Sequence, residues 1–378
     1  MWGNRGYNVP PLVTVVVPTC NRPLLLRRAL YSLLLQIDPP SFEIVVADGC
    51  PSPKTKAVVE DIARHVEKRG AEITYVARKT RGPSQTKNLG LEHARGKLIG
   101  ILDDDNILLP YALTLATRVI DETGANIVVG YTVSTLTYST KVFGVSDSPL
   151  QLLRYEDYLC GRVGGEFWGL INYSAISNND LKFFPHSLFA AEKILYVQQW
   201  RMLKKVVYMH VPLELYEERT SSVTRPDSKG ALNPRRFALI ALDYINYLKF
   251  LGSELKNARC YDQLCTILRR LYTLTKLLGV REGASTALHL MLHEKCYRSI
   301  PLSLISSNLK IKTFLTRVQS ILQMYKSVKK AKNIKENLTV TKIIHMSKKC
   351  YMDCKNNNIV TLIKCVNMCM KKQGIKAP

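Results

Sequence analysis

Nowhere in the 378 residues is there an apolar run of the roughly 18 positions that a membrane-spanning helix needs. The best stretch, Phe237–Leu242, is cut by Asp243. No signal peptide is visible: the apolar segment Leu12–Val17 is short and stops at Pro18. These absences lead us to expect a cytoplasmic protein, at most peripheral on the cytosolic face of a membrane. Ten cysteines are too sparse for a disulfide scaffold across the whole chain, and Cys20 and Cys50 read as buried or partly buried thiols just beyond strands. Internal repeats and low-complexity tracts are lacking. Acidic residues are scarce in one part only. Residues 227–378 hold 28 Lys+Arg against 8 Asp+Glu, whereas residues 1–226 hold 26 against 22, so most of the net +24 sits in the second part. The first part reads as an ordinary globular domain and the second as a basic appendage suited to an anionic partner.

What is present is an alternation. Leu12–Pro18, Phe42–Ala47, Glu72–Ala77, Lys97–Leu102 and Asn126–Tyr131 are short apolar runs with strand character. Between them lie helical patterns over Pro23–Gln36, Lys54–Lys68, Ser84–Ala94 and Pro110–Glu122. Strand and helix in turn imply an α/β fold, with a mostly parallel sheet sandwiched by helices. From about Pro226 the texture changes to helices only: Asn233–Leu251, Tyr261–Leu278, Ala284–Glu294 and Ile311–Lys330. A boundary near 226–232 divides a domain over 1–228 from a helical, basic region over 229–378.

The run into Leu102 ends on three carboxylates, Asp103-Asp104-Asp105. Clustered at a strand end they repel one another unless a cation or a set of donors neutralises them. Oxygen ligands suit Mg²⁺ or Mn²⁺, and such an ion bridges carboxylates to a diphosphate. In parallel sheets ligands bind beyond the carboxyl ends of the strands. Pro18-Thr19, Asp48-Gly49 and Asp103–Asp105 all fall there. The plainer reading of the triplet is a solvated acidic turn.

Four blocks then support a resemblance: Val13–Arg22, Glu43–Gly49, Arg81–Gly90 and Gly100–Asn106. In this order the chain resembles the inverting family 2 glycosyltransferases with the GT-A fold, over about residues 10–225. The resemblance implies that Asp105 is the principal metal ligand, for Mg²⁺ or Mn²⁺, and that Asp103 contacts ribose or the metal. It implies that Asp48 holds the base or ribose, and that Pro18, Thr19, Asp104, Arg81 and Lys87 border the nucleotide sugar. The turn after Asp48 departs from the family, being stiffened by Pro51 and Pro53. An inverting transferase also needs a carboxylate base for the acceptor hydroxyl. The family's Glu-Asp pair is reduced here to Glu192, with Glu166 as the alternative. Trp168 and Trp200 offer stacking faces for a sugar, with core packing as the other reading. His186 and His210 are lone histidines; His210, just before Val211-Pro212, is a further candidate metal ligand. Tyr216–Thr224, with Arg219, Ser221 and Ser222, matches a stretch that folds over the diphosphate.

The resemblance makes the chain a metal-dependent enzyme that moves a sugar from a nucleotide-diphosphate donor to a glycan or lipid-linked acceptor. The alternatives are a degenerate GT-A protein that binds nucleotide sugar without turnover, and a nucleic-acid binder using the basic tail. The second leaves the aspartates unexplained, and the aromatics form no stacking platform. A nucleotide-sugar pyrophosphorylase would need a Gly-rich loop after the first strand, and there is none. In the tail, Phe314, Val318, Ile321, Leu322 and Tyr325 precede Lys326, Lys329, Lys330, Lys332 and Lys335. That pattern fits an amphipathic helix on an anionic membrane surface or on the transferase domain. Cys350, Cys354, Cys365 and Cys369 form two C-x3-C pairs flanking Asn356–Asn358. A helical hairpin would set Cys350 near Cys369 and Cys354 near Cys365, and the pattern resembles twin C-x3-C hairpins closed by disulfides. Zinc ligation and free thiols remain open, and disulfides in a cytosolic protein would point to a hyperthermophilic host.

Overall fold

The computed structural model describes residues 10–66, 71–80, 82–176, 192–217, 234–296 and 340–377. Arg81, His186, Arg219, Ser221, Ser222, the expected helix over 311–335 and the boundary at 226–232 lie outside them. The chain divides into two compact units. The first comprises residues 1–158, 162–217 and 340–378, and the second residues 159–161 and 218–339.

The first unit opens with the expected alternation: β1 (Val13–Thr19), α1 (Pro23–Leu34), β2 (Phe42–Asp48), α2 (Pro53–Val66), β3 (Glu72–Ala77), α3 (Pro83–Leu91) and β4 (Leu98–Ile101). Every residue of β1 and β2 is buried. That is why they read as continuous apolar runs rather than alternating ones. Helix α3 lies hard against them. A Cβ on Gly90 would come 2.3 Å from Val16 Cγ1, so only glycine allows this approach. After β5 (Ile107–Leu108) and α4 (Ala112–Thr123) come β6 (Ile127–Ser134), β7 (Leu150–Leu153), α5 (Tyr155–Leu159), β8 (Phe167–Asn172), α6 (Glu192–Leu203) and β9 (Val206–Tyr216).

Among the described residues nine strands form one sheet, in the order β3-β2-β1-β4-β8-β6-β9-β5, with β7 also paired to β9. The β3-β2-β1-β4 half is parallel. Beyond it β8 runs antiparallel to both β4 and β6. The sheet is therefore mixed: the expected parallel character holds through its first half and returns where β6 runs parallel to β9. β7, β8 and β9 had no counterpart in the sequence pattern.

The second unit contains α7 (Pro234–Asn257), α8 (Tyr261–Leu277) and α9 (Arg281–His293), with Ala241, Leu271, Leu274 and Ala287 in a shared apolar cluster. Its disulfides are Cys160–Cys260 and Cys265–Cys296. The last helices, α10 (Val340–Cys354) and α11 (Ile359–Lys372), belong with the first unit rather than with α7–α9. Tyr351 stacks on Tyr111, the Tyr131 hydroxyl donates to Asn367 Oδ1 at 2.8 Å, and Arg118 donates to the Asn357 carbonyl at 3.0 Å. The hairpin is closed by Cys350–Cys369 and Cys354–Cys365, the pairing that the spacing suggested. All ten cysteines are paired, which corrects the free-thiol reading of Cys20 and Cys50. Their strands are neighbours with Thr19 opposite Asp48, so the two cysteines just past the register meet. Among the described residues no helix is long and apolar enough to cross a membrane.

Candidate functional site

Because β2 and β4 flank β1 in parallel, their carboxyl ends bring Pro18, Thr19, Asp48 and the Asp103–Asp105 turn to one rim. Thr19 joins the two halves. It sits opposite Asp48 in the ladder, and its hydroxyl donates to Asp104 Oδ2 at 2.7 Å. The rim is stitched further by the Gly49 amide donating to the Thr19 carbonyl, the Thr80 amide to the Gly49 carbonyl, and the Cys20–Cys50 bond.

Asp48 is fully buried. Its Oδ1 accepts from the Cys50 amide at 2.9 Å and its Oδ2 from the Tyr75 hydroxyl at 2.8 Å. The carboxylate shapes the turn that closes β2. Burial raises the Tyr75 phenol above its usual range, helped by its bond to Asp48, so the phenol stays a donor.

The aspartates divide by burial. Asp104 is wholly enclosed, bonded to Thr19 and 3.0 Å from the Arg22 guanidinium. Burial pushes its carboxyl up to about 7, against the pull of Arg22 and Thr19. Asp103 and Asp105 face outward. Asp105 receives Arg22 at 2.8 Å, and its carbonyl accepts from Arg28 at 2.8 Å. Arg28 also pairs with Glu217. Asp103 pairs at 3.2 Å with the ammonium of Lys87, a lysine only 5% exposed on α3. Two protein cations thus already offset the outward carboxylates. Arg22 was quoted in the first block without a role; its position just before α1 was the available signal.

Beside the triplet, α6 and the sheet enclose a cavity of about 330 Å³. Lys87, Asp103, Asn106, Glu166 and Glu214 border its polar side, and Ile99, Ile101, Val129 and Ile171 its apolar wall. Glu214 is buried on β9. Burial holds its carboxyl well above the ordinary range, and the charges of Asp103, Glu166 and Asp105 push it further while an Asn106 hydrogen bond opposes. Trp168 and Trp200 are both core residues; Trp200 packs 4.6 Å from the Tyr158 ring. Trp168 and Gln199 line the same cavity. Glu214 and Gln199 were not legible as site residues, because each reads as the solvent-facing position of a strand or helix.

Glu166 is exposed at the cavity edge, just before β8. Glu192 begins α6 at that cavity's helical wall, and its side chain lies outside the described residues. His210 stands elsewhere. It is buried on β9 between Tyr131 and Tyr208, 3.5 Å from Asp147, and borders a separate cavity with Asn367 and Lys371.

No group of three or more His, Cys, Asp or Glu side chains arranged for a metal occurs among the described residues. The outward pair still fits a hard cation. Asp103 and Asp105, on either side of the inward-turned Asp104, are the carboxylates that would hold such an ion, which prefers oxygen ligands.

The comparisons with known proteins agree with this geometry. The model for glycosyl transferase family 2 matches residues 14–158, which carry strands β1 to β7 and the aspartates. Over 256 residues the chain is 30% identical to a GalNAc(5)-diNAcBac-PP-undecaprenol beta-1,3-glucosyltransferase of Campylobacter jejuni, covering 67% of this chain and 78% of that protein. It is 33% identical over 120 residues to the succinoglycan biosynthesis protein ExoO of Rhizobium meliloti, 32% of each chain. Among solved structures, S. aureus TarS 1-349 in complex with UDP-GlcNAc superposes with a TM-score of 0.53 at 19% identity, over 75% of this chain and 81% of that one, a likeness of fold. With the aspartate-bearing rim and the GT-A sheet in place, the length of the Campylobacter match decides the assignment: the chain is an enzyme of glycosyl transferase family 2.

Proposed function

We propose that the protein transfers a sugar, with inversion, from a nucleotide-diphosphate donor to a glycan or lipid-linked acceptor, assisted by Mg²⁺ or Mn²⁺. The observation that carries this reading is the single rim on which Thr19, Asp103, Asp105 and Lys87 meet. The lipid-linked acceptor is supported by the Campylobacter relative, whose name describes a polyprenyl-diphosphate-linked substrate.

Asp105, with Asp103, would hold the ion. When bound, it supplies charge neutralisation to the departing diphosphate. Lys87 and Arg22 add positive charge at the same place, fixed before substrate arrives and so stabilising charge as it develops. Arg81 borders the nucleotide in this reading. Asp48 acts through the turn it holds rather than through a free carboxylate. The acceptor oxygen attacks the anomeric carbon as the bond to the diphosphate breaks. The proton it loses passes to Glu192, at the first turn of α6, with Glu166 the other carboxylate near the cavity. The basic segment beyond 296 lends affinity for an anionic membrane surface, about 1 kcal/mol per lysine close to it.

A panel of nucleotide sugars, assayed for hydrolysis and transfer with Mg²⁺ or Mn²⁺, tests this. Asp105→Ala should abolish turnover, and Glu192→Gln should bind donor yet lose transfer by about 10²-fold or more. Full transfer in Glu192→Gln moves the base to Glu166. Donor binding without turnover in the unaltered protein, across acceptors, would make it a degenerate binder.

A further inference from the structure

The cavity under α6 contains polar atoms that the protein does not satisfy. Gln199 is 1% exposed, and neither its amide nitrogen nor its amide oxygen has a hydrogen-bond partner. Trp168 is 3% exposed, and its indole N–H is likewise unpaired. Both residues line the cavity. Folded proteins pair nearly all such groups, because an unmade buried hydrogen bond costs stability. With Asn106 Oδ1, also unpaired on the same lining, four orphaned atoms in one compartment mark the place of a ligand that supplies the partners.

Their chemistry restricts that ligand. Gln199 presents one donor face and one acceptor, and Trp168 a second donor. The lining is also aliphatic, through Ile99, Ile101, Val129 and Ile171. A carboxylate ligand would meet Asp103, Glu166 and the buried Glu214 on the same lining. A hydroxyl satisfies the polar side and leaves the aliphatic wall empty. A secondary amide with a methyl group satisfies both: its N–H reaches an acceptor, its carbonyl the donors, and its methyl the isoleucines. Lys87 and Asp103 border the compartment, so it adjoins the place assigned to the diphosphate.

We propose that Gln199 and Trp168 form a specificity pocket for the acetamido group of a 2-acetamido sugar. This rests on the nucleotide-sugar reading above and names the sugar class that the site selects. The group could arrive on the donor or on the acceptor, and the experiment separates these sources.

Binding to the full-length protein is measured by calorimetry for UDP and GDP alone, for UDP-GlcNAc against UDP-glucose, and for methyl β-N-acetylglucosaminide against methyl β-glucoside with UDP present. One of the two sugar pairs should favour the acetamido form by about 10- to 100-fold, the range expected for a missing contact of this kind. Preference in the nucleotide-sugar pair assigns the group to the donor, and preference in the glycoside pair to the acceptor. Gln199→Leu should erase the preference, leave nucleoside diphosphate affinity within twofold, and raise the melting temperature of the free protein by removing the orphaned amide. Trp168→Phe, which removes only the N–H, should weaken the preference partly. Equal binding of acetamido and hydroxyl sugars in both arms overturns the inference. So does a preference that survives Gln199→Leu, or a fall in that variant's melting temperature. Failure of UDP and GDP alike to bind would instead strike the nucleotide-sugar reading, since their expected contacts lie outside Gln199.

Discussion

Residues Asp103 to Asp105 are adjacent in sequence and do different work. Asp104 turns inward and fastens the β4 end to Thr19, while its neighbours present carboxylates outward, offset by Lys87 and Arg22. A divalent ion at Asp105 must share it with, or take it from, Arg22. Arg22→Ala should therefore lower stability of the free protein by about 1–2 kcal/mol, from the charged hydrogen bonds lost. Mn²⁺ should raise that variant's melting temperature more than the unaltered protein's; an equal shift in both would mean that Arg22 does not occupy the ion's place. His210 gives a second test. Burial and the nearby Lys371 hold its imidazole below the ordinary 6.5, while Asp147 and a backbone bond at Ser146 favour the charged form; Tyr131 and Tyr208 also pack on it. An imidazole kept neutral by folding contributes stability that is full above about pH 6.5. That contribution is lost as the pH falls, because the unfolded chain takes the proton first. Asp104 and Glu214, raised by burial, gain stability over the same range as they take up protons, so the test is a difference. The stability advantage of the unaltered protein over His210→Phe should shrink in denaturant melts from pH 8 to 5. The aspartates were legible in the sequence because carboxylates do not belong at the end of an apolar run. Glu214 and Gln199 were not, since only the cavity opposite them distinguishes a buried polar residue from a solvated one.

Strands and helices before residue 131, the two-residue β5 excepted, were legible because the parallel half buries β1 and β2 on both faces and spaces them with amphipathic helices. β7, β8 and β9 were not, because they owe their place to pairings, antiparallel or, for β9 with β6, parallel, that fall outside the regular strand–helix alternation. Disulfides divide the same way. The hairpin of α10 and α11 declares its pairing through residues four apart on one helix face, whereas Cys20–Cys50 depends on β1 and β2 being neighbours. With all ten cysteines paired, thiol titration of the denatured, unreduced protein should find none. Replacing both Cys20 and Cys50 by Ser should cost about 2–4 kcal/mol, as for loops of this size. Dithiothreitol should lower the melting temperature of the unaltered protein more than that of the variant. Several reactive thiols in the unreduced chain would contradict this.

At the scale of the molecule, charge and chemistry occupy different stretches of the chain. The rim and its cavity lie wholly in residues 10–217, while most of the net +24 lies beyond residue 226. In the function proposed above, the basic excess serves attachment rather than catalysis. The full-length protein should co-sediment with anionic vesicles at low salt and release as salt rises, and should ignore neutral ones. Binding to both alike would remove the electrostatic argument. The account as a whole stands on the outward carboxylates binding a divalent ion together with the donor's diphosphate. Calorimetric titration of UDP and GDP, in Mn²⁺ and in EDTA, addresses that most directly. Affinity for at least one of them should rise tenfold or more with Mn²⁺, and Asp105→Ala should bind as if the metal were withheld. Equal affinity in metal and chelator, unchanged by Asp105→Ala, would contradict it.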